Sequence, residues 1–171
     1  MNKHIAINGS NGSGKDTFVE FCLDYIHSAY DNIEVHNIST IDPVKNVAKV
    51  FGWDGVKDNK SRTFLVELKQ AWVKYNDGPL QYIQTYTNNT SKEVDNIIFI
   101  HCREPEEIEK IKNKFKAMTL LIDRDNIEIA NNSSDLNVNN YKYDTMIANH
   151  LTLEHFKYLA HAFCNNLILN K

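Results

Sequence analysis

Gly9-Ser10-Asn11-Gly12-Ser13-Gly14-Lys15-Asp16-Thr17 carries the densest chemical signal in the sequence. Glycines at 9, 12 and 14 let the backbone curl so that successive amides point at one anion, and the lysine after them can bridge neighbouring phosphates. The spacing is that of the Walker A loop, G-x-x-x-x-G-K, which seats the phosphates of a nucleoside triphosphate at a helix amino terminus. Candidate triphosphate contacts are therefore Gly9, Asn11, Gly12, Ser13, Gly14, Lys15, Asp16 and Thr17, with Lys15 also following the charge as a phosphoryl group moves. The Ser or Thr usual after the lysine is Asp16 here. A carboxylate beside a triphosphate is repelled unless a cation intervenes, which makes Asp16 a candidate Mg²⁺ ligand, directly or through water. The alternative is an ordinary first-turn carboxylate favoured by the helix dipole.

Such a loop works only between a strand and a helix, and the flanking residues supply both. His4 to Asn8 is a short isoleucine-rich run ending on a glycine, as a buried parallel strand does. From Asp16 to His27, Phe18, Phe21, Cys22, Tyr25 and Ile26 recur at helical spacing. The alternation continues: a strand at Glu34 to Ser39, a helix from Pro43 to Phe51 stopped by Gly52, a helix capped by Ser61, and a third over Leu80 to Tyr86. In the second of these helices Phe64, Leu65, Leu68, Ala71, Trp72 and Tyr75 form the core side. After a polar loop at Asn88 to Asp95 come a central strand at Asn96 to Cys102 and a helix from Pro105. A strand at Met118 to Asp123, a short one at Thr145 to Ala148 and a helix capped by Thr152, with Leu153, Phe156, Leu159, Ala160, Phe163 and Leu167 facing the sheet, complete the pattern. Asn126 to Tyr143 is rich in asparagine and serine and reads as a surface segment suited to a lid. Strands alternating with helices predict an α/β fold: a parallel five-stranded sheet with helices on both faces, in one domain.

With GKDT followed by DPVKNVAKVFGWDGVKDNKSR, then HCREPEEI and YDTMIAN, the chain resembles the phage-type deoxynucleoside monophosphate kinases, members of the P-loop nucleoside monophosphate kinase family. The resemblance implies the three-layer P-loop kinase fold with a short lid, Mg-ATP as phosphoryl donor and a deoxynucleoside monophosphate as acceptor. Position by position, it implies acceptor-side roles for Lys45 and Arg62, with helices over about 42–88 holding the acceptor. It puts Arg103 after the third strand, on the acceptor phosphate and in catalysis, Arg124 over the transferred phosphoryl group and Asn149 near the adenine. Two departures stand out. Where the family has an aspartate two residues before the arginine, this chain has His101, a poor Mg²⁺ ligand beside hard oxygen donors. Between Asp125 and Lys171 there is no arginine.

Only three of the 19 basic residues are arginines, and all three fall at element edges near these phosphate positions. Arginine's planar fork grips phosphate through two bonds, though each of the three can equally serve a surface ion pair. Asp42, at the carboxyl edge where doubly wound sheets bind ligands, either orients the acceptor or caps the helix beginning at Pro43. Trp53, Trp72, Tyr82 and Tyr86 either stack on an acceptor base or belong to the core.

Charge and composition set the outer limits. A net charge of −3 gives no basic field for a nucleic acid polymer, so the expected partners are small-molecule nucleotides, with a homodimer left open. Cys22, Cys102 and Cys164 sit in apolar stretches and read as reduced, buried thiols. No signal peptide or apolar run of membrane length appears, and the expected location is cytoplasmic, away from membranes. Phosphoryl transfer from Mg-ATP to a (deoxy)nucleoside monophosphate is the principal expectation. Two alternatives remain: a P-loop kinase of another small acceptor, such as dephospho-coenzyme A or phosphomevalonate, and a non-catalytic nucleotide-binding regulator, which His101 would suit.

Overall fold

Apolar residues on both faces of three neighbouring strands need helices on both sides, and the computed structural model, which describes residues 2–56, 58–124 and 138–169, has them. In chain order the elements are β1 (Asn2–Asn8), α1 (Lys15–Ala29), β2 (Ile33–Ser39), α2 (Asp42–Val50), α3 (Asn59–Asn76), α4 (Gly78–Asn89), β3 (Asp95–His101), α5 (Pro105–Phe115), β4 (Met118–Asp123), β5 (Thr145–Ala148) and α6 (Leu153–Leu169). The strands form one parallel five-stranded sheet in the order β2-β3-β1-β4-β5. β1 pairs in parallel with β3 through Asn2↔Asn96 to Ile7↔His101, and with β4 through Ile5↔Met118 to Asn8↔Leu121. β5 extends the sheet beyond β4, also in parallel.

Two compact units result: residues 38–90 form one, and the described residues on either side of that segment form the other. In the larger unit, strand alternation divides the core. Ile5, Ile7, Ile97, Phe99, Leu120 and Ile122 turn to one face, where they meet Phe18, Cys22 and Ile26 of α1 and Phe156, Ala160, Phe163 and Leu167 of α6. Ala6, Ile98 and Ile100 are equally buried on the other face. There α5 packs on β1 and β4 with Ile108 and Ile111 inside, and the Phe115 ring lies 5.1 Å from that of His4. Burial lowers the His4 pKa, so this imidazole is a neutral core residue at pH 7. All three cysteines are buried and unbridged.

The smaller unit differs from expectation in several details. The cap of α3 is Asp58, whose carboxylate accepts the Ser61 amide at 2.7 Å, so the helix starts before Ser61 rather than after it. Only part of the expected apolar face of α3 is covered: Phe64, Leu65, Leu68 and Trp72 are half-buried, while Ala71 and Tyr75 face solvent. α4 reaches beyond Leu80 to Tyr86 at both ends; Pro79 suits its first turn and accounts for the earlier start. Trp72 lies over Gly78 so closely that any Cβ there would collide with the indole, which accounts for this ring by packing. Ile41, not Asp42, occupies the cap position of α2; Asp42 instead accepts the Ser39 amide at 3.1 Å and pairs with Lys45 at 3.2 Å.

In the larger unit, Thr152 accepts the His155 amide at 3.2 Å as expected of a cap, but Leu153 is exposed. Of the segment Asn126 to Tyr143, residues 126–137 lie outside the described residues. Val138 to Asp144 is held down firmly. Val138 is buried, the Tyr141 hydroxyl donates to Glu109 at 2.7 Å, and Asp144 takes Lys112 at 2.6 Å together with the Thr119 amide and hydroxyl, each at 3.0 Å. Among the described residues no helix is long and apolar enough to cross a membrane.

Phe18 is fully buried with its ring 5.6 Å from Phe156 and 5.5 Å from Phe163. Phe18→Ala should therefore cost about 3–5 kcal/mol in denaturant unfolding. Burial disfavours the charged form of Asp144, but Lys112 and Thr119 outweigh it and hold its pKa below the ordinary carboxylate value. A depressed folded pKa gives stability that is fully present above the unfolded value, about 3.9, and is lost as pH falls through the folded one. Melting curves of wild type and Asp144→Asn should therefore lie apart at pH 7 and converge as the pH drops below about 4.

Candidate functional site

The phosphate loop leaves the sheet where β1 ends and runs straight into α1. Gly9, Gly12 and Gly14 all take positive φ, at 153°, 79° and 96°. At Gly14 two constraints coincide, since a Cβ would also come within 2.7 Å of the Asn149 amide and 3.2 Å of the Phe156 ring. At Gly12 the surrounding space is open. The Ser13 amide closes the turn onto the Ser10 carbonyl at 3.1 Å, and Phe18 starts the helical ladder on the Gly14 carbonyl at 2.8 Å.

The loop carbonyls are held by side chains. Lys15 donates to the carbonyls of Gly9 at 2.5 Å and Ser10 at 2.9 Å. Arg124, just beyond β4, donates to that of Gly12 at 3.2 Å, and Asn149, just beyond β5, to that of Ser13 at 2.9 Å. The Asn149 amide in turn donates to the Asp123 carbonyl at 2.6 Å. Two cations and an amide from three separate segments therefore converge on four carbonyls of the loop backbone; Asn11 and Gly12 are exposed, and Thr17 is half-buried in the first turn of α1. Asn149, expected near the adenine, has its side chain on the loop backbone itself.

Asp16 projects into solvent, 88% exposed, with one carboxylate oxygen 3.8 Å from Nδ1 of the largely buried His101. Mg²⁺ keeps several waters and binds through one or two carboxylates plus phosphate oxygens, so a single exposed carboxylate beside the phosphate loop fits it. Among the described residues no group of three or more His, Cys, Asp or Glu side chains is arranged around a common metal position. Arg103 lies half-buried in the turn after β3, and its carbonyl accepts the Asn8 side-chain amide at 3.1 Å.

Asp42, Lys45 and Arg62 belong to the smaller unit. There the Asp42–Lys45 pair is partly exposed and Arg62 faces solvent on the first turn of α3. Lys69, which the sequence pattern does not single out, donates to the buried Thr40 hydroxyl at 3.0 Å. Burial, and next the charge of Asp42, raises the Tyr82 pKa; its ring and that of Tyr86 lie 6.3 Å apart, both half-buried. The Trp53 indole is tied to the Val56 carbonyl at 3.1 Å.

Two further features of the larger unit escape the sequence pattern. His150 pairs with Asp123 at 3.1 Å beside Arg124. Asn8, buried at the end of β1, bonds the Gly9 amide, the Arg103 carbonyl and the Tyr143 hydroxyl. A polar side chain ending the run Ile-Ala-Ile-Asn was the available signal, because buried amides need partners.

No protein-family model matches the chain, and no curated protein matches it. Among solved structures it is similar to thymidylate kinase from Ehrlichia chaffeensis, at 15% identity and a TM-score of 0.44, with 98% of each chain covered. The α/β fold is defined by the sheet order and the parallel register given above.

Removing loop flexibility separates strain from collision. Gly12→Ala should cost about 1 kcal/mol through positive φ alone. Gly14→Ala should cost at least 2 kcal/mol more, roughly, since Asn149 and Phe156 must also move. Chemical denaturation of the two variants reads the difference directly.

Proposed function

We propose that this protein is an ATP-dependent phosphotransferase that converts a (deoxy)nucleoside monophosphate to the diphosphate. The observation that carries the reading is the phosphate loop with Lys15 and Arg124 both resting on its carbonyls, two cations within reach of any anion the loop amides bind. The resemblance of GKDT, DPVK, KSR and HCREPEEI to the monophosphate kinases supports a nucleotide acceptor and implies Lys45, Arg62 and Arg103 for its side of the reaction, to which the position of Asp42 at the carboxyl edge of the sheet adds a fourth candidate.

The chemistry asks little beyond position and charge. An oxygen of the acceptor phosphate attacks the γ-phosphorus, the bond to the β–γ bridging oxygen breaks, and the electron pair leaves with ADP. The acceptor phosphate is already largely dianionic at pH 7, so no general base is needed. The loop amides orient the donor phosphates, and Lys15 exchanges neutral carbonyls for the β and γ oxygens. Arg124 and Arg103 spread their forks over the equatorial oxygens where charge accumulates. Asp16, together with the donor phosphates, would hold Mg²⁺, which would supply further neutralisation of phosphate charge.

A second reading, a nucleotide-binding regulator, draws on His101 standing 3.8 Å from Asp16 where a carboxylate would be expected. A coupled assay of ADP release across the common monophosphates, with dephospho-coenzyme A and phosphomevalonate included, separates the readings. Under the kinase reading at least one monophosphate stimulates ADP release well above the ATP-only rate. Lys15→Ala should abolish it, and Arg124→Ala should lower kcat by about 10²–10³-fold, with little rescue by Arg124→Lys. Tight ATP binding with background turnover on every acceptor would overturn the kinase reading in favour of the regulator.

A further inference from the structure

Asn8 is fully buried at the carboxyl end of the central strand, and its amide meets three segments of chain at once. Its Oδ1 accepts the Gly9 amide at 2.8 Å, at the start of the phosphate loop. Its Nδ2 donates to the Arg103 carbonyl at 3.1 Å and to the Tyr143 hydroxyl at 2.8 Å. The orientation is fixed by chemistry: the Gly9 N–H can only donate, and the Arg103 carbonyl can only accept. Tyr143 must therefore accept from Asn8, which leaves its own proton for the Val138 carbonyl at 2.9 Å. Burial pushes the Tyr143 pKa up to about 12, so that proton stays in place at any working pH.

Tyr143 is presented from a firm base. On one side of it Tyr141 is bonded to Glu109 of α5; on the other, Asp144 is bonded to Lys112 of α5 and to Thr119 of β4. The hydroxyl thus ties the Asn8 amide to the α5–β4 layer, and the amide ties the phosphate loop to the turn that carries Arg103.

We infer that Asn8 and Tyr143 are positioning residues that set the separation between the phosphate loop and the Arg103 turn, so that donor phosphates and guanidinium stay in register through phosphoryl transfer. The inference rests on the kinase reading and goes beyond it. Neither residue contacts the nucleotide; both act through the Gly9 amide and the Arg103 backbone. Displacements of about 1 Å between reacting groups cost on the order of 10²-fold in rate, while ground-state binding to the loop amides tolerates them.

Asn8→Asp and Tyr143→Phe test this by different routes. An aspartate still accepts from Gly9 but cannot donate to Arg103, and it draws the Tyr143 proton away from Val138. Phenylalanine removes one hydroxyl and keeps the ring. Steady-state kinetics, titration with a fluorescent ATP analogue and thermal melts are measured together on the full chain. The expected result is a fall in kcat of about 10–100-fold for Asn8→Asp and about 5–10-fold for Tyr143→Phe, with nucleotide Kd changed less than about threefold. The double variant should lose less than the product of the two, because Asn8→Asp reverses and Tyr143→Phe removes the same hydrogen bond.

A purely structural role would lower the melting temperature and reduce kcat and binding together, in step with the folded fraction. That outcome, or kcat within twofold of wild type in both variants, overturns the inference. If Asn8→Asp does not fold, Tyr143→Phe decides alone. Failure of the kinase reading is separately visible: wild type itself then shows no acceptor-dependent ADP release, and the inference falls with it.

Discussion

β1 runs parallel between β3 and β4, so its carboxyl end emerges flanked by the carboxyl ends of both neighbours. The register is close: Ile7 lies opposite His101, and Asn8 opposite Leu121. Everything at the phosphate loop follows from that pairing. The chain leaves β1 into the loop while β3 and β4 leave on either side into the turns bearing Arg103 and Arg124. Parallel strands have no tight hairpin between them, so each must be followed by a loop and helix, and these gather at one edge. A one-residue slip of β1 would move Ile5 and Ile7 out of the α1–α6 core and carry Asn8 away from its three partners, so the hydrophobic pattern and the polar one enforce the same register.

Within that frame the loop is shaped before any anion arrives. The curl of positive-φ glycines turns carbonyls as well as amides, and the carbonyls of Gly9, Ser10, Gly12 and Ser13 each have a side-chain donor in Lys15, Arg124 or Asn149. A cation on a neutral carbonyl gains less than a cation on a phosphate, where hydrogen bonds are roughly twice as strong. On the kinase reading, an arriving triphosphate would recruit Lys15 and Arg124 by exchange rather than by ordering a flexible loop. Asn149, being neutral, has no such incentive and remains on Ser13, where it also enforces glycine at position 14.

The elements that repeat a period were legible in the sequence. The isoleucine runs of β1 and β3, the apolar stripe of α1 and the G-x-x-x-x-G-K spacing each state a local rule that packing then obeys. What was hidden depends on partners distant in sequence. Asp58 outcompetes Ser61 as a cap because its carboxylate falls three residues before a free amide, a matter of where the preceding loop enters the helix. Tyr75 and Leu153 carry apolar side chains at helical spacing yet face solvent, since periodicity says which residues share a face and not how far that face is covered. Asn8 and Tyr143 are separated by 135 residues, and no local pattern announces a bond between them.

His101 changes how charge is distributed around the loop. A carboxylate at the end of β3 would stand beside Asp16 and could share a cation with it; with an imidazole there, Asp16 stands beside a histidine, while Asp123 is engaged by His150. Asp16 also lies in the first turn of α1, where the helix dipole offsets part of its charge. Lys15, Arg103 and Arg124 stand against two carboxylates, Asp16 and Asp123, so the named side chains around the loop carry a net positive charge. Such a balance favours the polyanionic nucleotide and disfavours a divalent cation on its own. On the kinase reading, metal then enters with the nucleotide, its phosphate oxygens supplying most of the ligands and Asp16 adding one more. On that same reading, histidine at position 101 would leave metal binding chiefly to the nucleotide's own phosphates rather than to the protein.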